Sequence, residues 1–234
     1  DAKFINLNIA AFDAGKQCAL KLRGDALAGL NLLLLSVMTA EASKAETRPA
    51  WRERAGRERD EWLAETERWR KLDGRPCPQS AAIAAVNDHV GPDSVVITAA
   101  GSLPGDMLRL WRCKDPEGKG YLCEYGYSTM GFEVAAGLGA RLACPDREVV
   151  VCVGDMSFLM ACQELVTAVQ LGVPLTVVVF DNHGGQSIRQ LQKRAGFVDF
   201  GMEFNLGAPG EVPQDGSGDY ARVDYAMIAE GMAC

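Results

Sequence analysis

The clearest pattern of apolar and polar positions lies in the second half of the chain. Residues 149–153 contain only valine and cysteine, which is typical of a strand buried on both faces of a sheet. A Gly-Asp pair at residues 154–155 interrupts that run, and the spacing that follows predicts one amphipathic helix over residues 157–171. The apolar face of this helix is formed by Phe158, Cys162, Leu165, Val166 and Val169. A second buried strand is predicted over residues 175–180.

A strand, a helix and a second strand in this order form a crossover unit, in which the strands are parallel and the connection is right-handed. The polar pairs Gly154-Asp155 and Asp181-Asn182 therefore lie at the carboxyl edge of one sheet, where open α/β folds bind ligands. Asp155 also precedes a helix, whose free N–H groups attract phosphate. Carboxylate, amide and carbonyl oxygens beside a phosphate suit Mg²⁺, and a purely structural Gly-Asp turn is the alternative.

Weaker patterns come before this unit. Strands are predicted over residues 4–9 and 19–22, and Asp25 is placed to cap a core helix over residues 26–38. This arrangement of two strands and a helix predicts part of an α/β domain over residues 1–40, with a structural role.

Residues 41–78 differ in composition and are expected to form a charged helical linker rich in Arg, Glu and Ala. Pro49 suits a first helical position. Trp51, Trp62 and Trp69 are separated by near-whole numbers of turns, so they are expected to share a face that docks on the neighbouring domain. Stacking on nucleic acid is the alternative, and the adjacent glutamates disfavour it.

Residues 79–234 are expected to form one α/β domain with a doubly wound parallel sheet. A turn rich in small residues, at 99–104, follows a predicted strand and permits close approach of a ligand to the backbone. Residues 196–213 are expected to be a loop that closes over substrate. The remaining predicted elements are strands over residues 95–98 and 121–124 and helices over residues 81–89, 104–111, 130–143, 186–192 and 224–232.

Composition narrows the classes of function. A formal net charge of −7 argues against nucleic acid as a partner, because phosphate backbones require a basic surface. No run of about 18 apolar residues occurs, so no membrane span is expected. Eight cysteines without zinc-like spacing favour a reduced, cytoplasmic protein. The chain lacks an initial methionine and stops just after a helical pattern, so a fragment of a longer polypeptide is expected.

A family resemblance rests on these motifs. Gly154-Asp155, with Asn182 twenty-seven positions after Asp155, resembles the diphosphate and Mg²⁺ motif of thiamine-diphosphate (ThDP) enzymes. Residues 126–132 and 135–140 look like the family's segment that holds the aminopyrimidine ring of the cofactor. The resemblance implies that residues 79–234 are the domain that binds the cofactor's diphosphate, and that residues 1–40 end the family's middle domain.

The closer resemblance is to family members that hydrolyse a cyclic 1,2-dione in inositol catabolism. It is carried by residues 100–106, 110–112, 124–127 and 180–184. It implies cleavage of a carbon–carbon bond and ring opening to a deoxy-uronic acid, with ThDP and Mg²⁺ as cofactors and a homodimer or homotetramer as the assembly.

The resemblance also implies roles for single residues. Mg²⁺ would be held by Asp155, Asn182 and the carbonyl of Gly184. The diphosphate would be lined by Ser102, Leu103, Gly154, Met156 and Ser157.

At the cofactor's rings, Met130 would enforce a V-shaped conformation, and the Thr129 carbonyl would accept from the 4′-amino group. A core role for Met130 is the alternative. His183 is a candidate general acid–base or substrate contact, and a simple turn residue is the equal alternative.

The sequence departs from the family pattern in three ways. Met156 stands where relatives have a small residue, and Gly185 stands where the resembling hydrolases have an aromatic one. No segment resembles the pyrimidine-binding domain, which supplies an essential glutamate, and Glu133 and Glu164 are not expected to replace it. The chain is therefore expected to hold half of a cofactor.

Three other functions compete with this one. A carboligase or decarboxylase of 2-oxo acids, similar to acetolactate synthase, would share the cofactor motifs. A non-catalytic scaffold would keep the fold without the activity, and Met156 supports that reading. A nicotinamide-binding domain is disfavoured, because no G-x-G-x-x-G follows a predicted strand.

Overall fold

The computed structural model describes residues 3–16, 20–39, 49–198, 200–207 and 219–234. The chain divides into two compact units, Asp1–Glu61 and Trp62–Cys234. The predicted domain boundaries, at residues 40 and 78, are not tested by this division and stay predictions. Some predicted segments lie partly outside the described residues. The parts outside are residue 19 of the second predicted strand, residues 41–48 of the linker and residues 199 and 208–213 of the loop; Cys18 also lies outside.

The first unit contains a small parallel sheet. Strands β1 (Ile5–Asn8) and β2 (Leu20–Arg23) pair in parallel, and the short helix α1 (Ala11–Ala14) connects them. Helix α2 (Ala26–Thr39) follows, and the Asp25 carboxylate caps it by accepting from the backbone N–H of Ala28 at 2.9 Å. The predicted cap is therefore present, whereas α1 had no sequence signal.

The prediction that α2 is a core helix is wrong for the part of the chain that the structure describes. None of its residues is buried, and Leu27, Leu30 and Leu32 each expose more than half of their surface. The physical reason is that a sheet of two short strands offers too little area to cover a helix that is apolar on all sides.

Helix α3 (Pro49–Arg70) begins at the predicted proline. The rings of Trp62 and Trp69 meet edge to face, with centroids 5.7 Å apart, and Trp69 packs on the core of the second unit. Trp51 belongs to the first unit and is 62% exposed. Arg70 is buried, and its guanidinium donates to the Leu110 carbonyl at 2.9 Å, which fixes the end of α3.

The second unit is built on a parallel sheet of four strands, in the order β4-β3-β5-β6. The strands are β3 (Val95–Thr98), β4 (Tyr121–Cys123), β5 (Val149–Gly154) and β6 (Thr176–Phe180). Successive residues of β5 point to opposite faces of the sheet, as strand geometry requires. Val150 and Cys152 join one hydrophobic cluster, and Val151 and Val153 join another.

Helices cover both faces of this sheet. One face carries α4 (Gln79–His89) and α5 (Ser102–Leu110). The opposite face packs against α6 (Phe132–Ala143), α7 (Asp155–Ala161), α8 (Glu164–Leu171) and α10 (Tyr225–Gly231). Helix α9 (Gln186–Arg194) follows β6. The predicted α/β class with a doubly wound parallel sheet is confirmed.

The prediction of one helix over residues 157–171 is wrong, because α7 and α8 are separate. Backbone N–H groups of Leu165 and Val166 bond three residues back, to Cys162 and Gln163, which is the tighter 3₁₀ pattern. Of the predicted apolar face, Val166 and Val169 are 49% and 42% exposed.

The seven cysteines in the described ranges are all free. Burial raises the pKa of the Cys152 thiol to about 12, so this residue behaves as a small apolar side chain in β5. Within the described ranges, no helix combines the length and the apolar character that crossing a bilayer requires.

Candidate functional site

A cleft of about 230 Å³ lies at the carboxyl edge of the sheet. Its walls come from the segments that follow β3, β4, β5 and β6, as the crossover argument predicts. The volume is below the roughly 300–1,000 Å³ of a pocket that encloses a whole ligand. Nine of the predicted site residues line it: Ser102, Leu103, Met130, Gly154, Asp155, Met156, Ser157, Asn182 and Gly184.

Asp155 joins the ends of β5 and β6. Its side chain is 1% exposed, and Oδ2 accepts from the backbone N–H groups of Asn182 at 3.0 Å and Gly184 at 2.8 Å. Oδ1 accepts from the N–H of Met156 at 2.6 Å. Two motifs that are distant in sequence therefore meet at one carboxylate, which holds both turns in place.

Burial raises the pKa of Asp155 above its ordinary value, because the charged form loses contact with water. The three backbone N–H donors act in the opposite direction and stabilise the carboxylate. A cation beside this group would oppose the effect of burial, since it favours the charged form.

The side-chain oxygen of Asn182 is buried and has no hydrogen-bond partner among the residues that the structure describes. A buried acceptor without a partner is uncommon and calls for an explanation such as an ion. It belongs to a residue whose N–H is bound by Asp155, so it lies in the same turn as that carboxylate. The Gly184 carbonyl accepts the N–H of Gln186 at 3.0 Å, and a carbonyl oxygen has two lone pairs.

These oxygens fit a hard divalent cation. One carboxylate, one amide oxygen and one carbonyl are ligands of the kind that Mg²⁺ takes together with phosphate oxygens and water. The described residues contain no group of three or more His, Cys, Asp or Glu that could hold a metal, so a site built only from such side chains is not present among them.

The turn after β3 brings backbone close to the cleft. Gly101 has φ +84° and ψ −153°, a region that essentially only glycine occupies. It leads directly into α5, whose first residues, Ser102 and Leu103, line the cleft. The first-turn N–H groups of a helix lack partners within the helix, so they are available to an anion at this wall.

Met156 and Gly185, two departures from the family pattern, lie against each other. A Cβ added to Gly185 would stand 3.2 Å from Sδ of Met156 and 3.5 Å from Sδ of Met202. The methionine side chain therefore occupies space that the missing side chain at position 185 leaves free. The N–H of Met156 is bonded to Asp155.

The loop after β4 carries Met130 to the cleft. The Glu124 carboxylate accepts from the N–H groups of Tyr127 at 2.8 Å and Thr129 at 2.9 Å, so it shapes this loop from within. Ser128, in the same loop, has a left-handed backbone with φ +54°. Thr129 is exposed and does not line the cleft, in contrast to Met130.

His183 does not line the cleft either. Its ring stacks on Tyr220, with centroids 4.6 Å apart and planes 16° from parallel. Its Nδ1 lies 3.3 Å from Oδ1 of Asp181. In this arrangement the imidazole faces an aromatic ring and an aspartate, which favours the structural alternative for this residue.

A buried network that the sequence did not reveal holds the turn after β6. Glu203 has a 5% exposed side chain, and its carboxylate contacts Arg189 Nε at 3.1 Å, Gln186 Nε2 at 3.0 Å and Tyr220 Oη at 3.1 Å. The backbone around Glu203 also pairs with Gly184. Residues 196–213 were expected to be a loose loop. Their Gly-rich composition gave no indication that Glu203 would be buried and hydrogen-bonded.

Glu133, which was not expected to replace the family's missing glutamate, is a second buried carboxylate beside the cleft. It is 1% exposed in the first turn of α6. Its Oε1 accepts from the N–H of Ala100 at 3.1 Å, and its Oε2 accepts from the Ser157 hydroxyl at 2.8 Å. The available signal was a lone glutamate in a helix otherwise rich in Ala and Gly.

Comparison with known proteins identifies the family of this chain. A family model described as the thiamine pyrophosphate enzyme, C-terminal TPP binding domain, matches residues 99–234. The chain is 38% identical over 259 residues to the 3D-(3,5/4)-trihydroxycyclohexane-1,2-dione hydrolase of Bacillus licheniformis. The aligned region includes 99% of this chain and 38% of that protein. The proteins of the same name from Geobacillus thermodenitrificans and Bacillus subtilis are each 37% identical, over 98% of the chain. The chain thus spans less than two fifths of the length of these relatives.

Proposed function

The chain belongs to the family of thiamine pyrophosphate enzymes, and from that premise we propose that it binds the diphosphate half of ThDP through Mg²⁺. We further propose that the polypeptide it represents cleaves a carbon–carbon bond in a cyclic 1,2-dione. The observation that carries the first proposal is the unpartnered Asn182 oxygen beside the buried Asp155 carboxylate. An uncompensated buried oxygen is unfavourable, and a Mg²⁺ ion would compensate it.

Each group in the cleft has a part in this proposal. Asp155, Asn182 and the Gly184 carbonyl would hold Mg²⁺, while Ser102, Leu103 and the 154–157 turn would receive the diphosphate. Met130 would support the rings of the cofactor from the adjoining wall. ThDP supplies the carbanion chemistry when bound, and the protein supplies binding, orientation and electrostatics.

The binding proposal is tested by titrating ThDP into the chain with and without Mg²⁺, by calorimetry. Asn182→Ala is the sharpest variant, because the oxygen that it removes makes no hydrogen bond within the described part of the chain. We expect Mg²⁺-dependent binding in the wild type and a loss of about tenfold or more in the variant, which is about 1.4 kcal/mol or more.

Asn87→Ala is the matched control. Asn87 is also buried, but it bonds Arg70 and the backbone of Arg112, and it lies outside the cleft. This variant should lower the free energy of unfolding and leave ThDP affinity unchanged. Absence of ThDP binding in the folded wild type, with Mg²⁺ present, would sink the proposal and favour the scaffold.

The substrate proposal rests on the names of the relatives, which are hydrolases of a trihydroxycyclohexane-1,2-dione. A chimera tests it, in which this chain replaces the matching segment of the Bacillus subtilis protein. We expect the chimera to consume the cyclic dione, with ring opening followed by mass spectrometry, and to leave pyruvate unchanged. Turnover of pyruvate without turnover of the dione would instead indicate a 2-oxo acid carboligase or decarboxylase.

A further inference from the structure

Glu133 is buried at the point where three walls of the cleft meet. Its carboxylate bonds the Ala100 N–H, one residue before Gly101 in the wall after β3. It also accepts from the Ser157 hydroxyl, in the wall after β5. That hydroxyl in turn accepts from the N–H of Gly131 at 2.8 Å, in the wall that carries Met130.

Each bond has its cause in the local backbone. Gly131 has φ +84° at the N-cap of α6, and a Cβ there would come within 2.9 Å of Ala161. The loop therefore approaches α7 closely, and this approach brings its N–H to the Ser157 hydroxyl. Ala100 is 5% exposed and Ser157 is 3% exposed, so water does not replace either bond.

The burial of Glu133 is costly without such a role. A buried carboxylate is unfavourable unless it is well hydrogen-bonded, and the bonds described here come from neutral donors in the walls of the cleft. We infer that Glu133, acting through Ser157, is a positioning residue that fixes the three walls of the proposed cofactor cleft relative to one another. The positioning role itself does not depend on the proposed function. Only its expected effect on ThDP affinity rests on that proposal.

The inference differs from the role that the family resemblance assigns to Ser157. The hydroxyl of Ser157 donates to Glu133 and accepts from Gly131, so its hydrogen and one acceptor position are already used within the walls of the cleft. The contribution of this residue to binding is then indirect. Removing its hydroxyl should release the Met130 wall from α7 without removing a contact to phosphate.

The test compares Ser157→Ala and Glu133→Gln with the wild-type chain. Amide hydrogen exchange by NMR should become at least about tenfold faster at Gly131 in Ser157→Ala, because that N–H loses its acceptor. Exchange should also become at least about tenfold faster at Ala100 in Glu133→Gln, because a neutral amide oxygen accepts more weakly than a carboxylate. ThDP affinity in the presence of Mg²⁺ should fall about tenfold in both variants, which is about 1.4 kcal/mol.

The chain offers a matched control at the other edge of the sheet. Ser94 is 6% exposed, and its hydroxyl donates to Oε2 of Glu148 at 2.7 Å. Ser94→Ala removes a bond of the same kind, and Glu148→Gln weakens it, just before β3 and β5 begin. They should leave ThDP affinity unchanged, along with exchange at Ala100 and Gly131, even where they lower the free energy of unfolding.

Two outcomes would overturn the inference. One is unchanged exchange at both amides in the folded variants, and the other is a loss of ThDP affinity in Ser94→Ala equal to that in Ser157→Ala. A wild-type chain that does not bind ThDP would overturn the proposed function alone, because the exchange rates at Ala100 and Gly131 still report on the Glu133 bonds. If Glu133→Gln does not fold, Ser157→Ala carries the test by itself.

Discussion

Met156 and Gly185 show at the scale of single residues how two departures from a family pattern can offset each other. Their contact, at 3.2 Å from an added Cβ to Sδ, predicts coupling between the two positions. Gly185→Leu should cost about 1–3 kcal/mol of the free energy of unfolding in the wild type, since it overpacks the methionine. In a Met156→Ala background the cost should be smaller by about 0.5 kcal/mol or more.

Chemical denaturation of the four proteins in this cycle measures the coupling. Gly139→Leu is the control, because an added Cβ there meets no atom within 4 Å, and its cost should be equal in both backgrounds. Equal costs for Gly185→Leu in both backgrounds would show that Met156 does not fill the space at position 185.

The sequence predicted which polar residues meet at the edge of the sheet better than it predicted which carboxylates are buried. Asp155, Asn182 and Gly184 could be placed together from sequence, because strand order fixes which turns share an edge. Glu133 and Glu203 could not, since whether a carboxylate is buried depends on which backbone N–H groups and side chains the fold brings to it. Periodicity carries no information on that point.

At the scale of elements, the loop after β4 depends on one ionised carboxylate. Hydrogen bonds from the backbone N–H of Thr129, which has the larger effect, and of Tyr127 hold the pKa of Glu124 below its ordinary value of 4.5. A group with a depressed folded-state pKa stabilises its loop above the unfolded pKa, and this stabilisation is lost as pH falls through the folded pKa. The loop should therefore keep its structure at pH 4.5 and lose it at lower pH.

NMR amide shifts of Tyr127 and Thr129 should titrate with a midpoint below pH 4.5 in the wild type. In Glu124→Gln they should be constant over the same pH range. A midpoint at or above 4.5 would contradict the assigned bonds. The nearby Asp115 is a useful reference, because its pKa is also lowered, by hydrogen bonds from Glu117 N–H and Arg147, but at the other end of β4.

The helices were predicted better by type than by extent. Helix α3 begins at Pro49 as expected, because proline fixes the backbone of a first turn. The break between α7 and α8 was missed, since hydrophobic spacing stays nearly in phase across a single 3₁₀ turn. Helix α2 was misjudged for another reason, because composition predicts what a helix prefers to bury and not whether a surface is available.

At the scale of the whole molecule, the cleft belongs to one unit. Its lining residues run from Gln79 to Ile188, inside Trp62–Cys234. A shortened chain of residues 49–234 keeps α3 intact and should bind ThDP and Mg²⁺ as the full chain does. It should also aggregate less, because it lacks the exposed leucines of α2. Loss of binding in a folded shortened chain, by calorimetry, would show that the first unit contributes to the cleft.

The unpartnered oxygen of Asn182 has a consequence for the life of the protein in a cell. A buried acceptor without a partner costs the unloaded chain about 1–3 kcal/mol, whereas a ligand that binds only the native state adds stability by mass action. A change of that size alters the unfolded fraction that proteases remove. The supply of thiamine should therefore affect the abundance of this protein. Under thiamine starvation, a pulse-chase measurement should find a shorter half-life for the wild type and little change for Asn182→Ala.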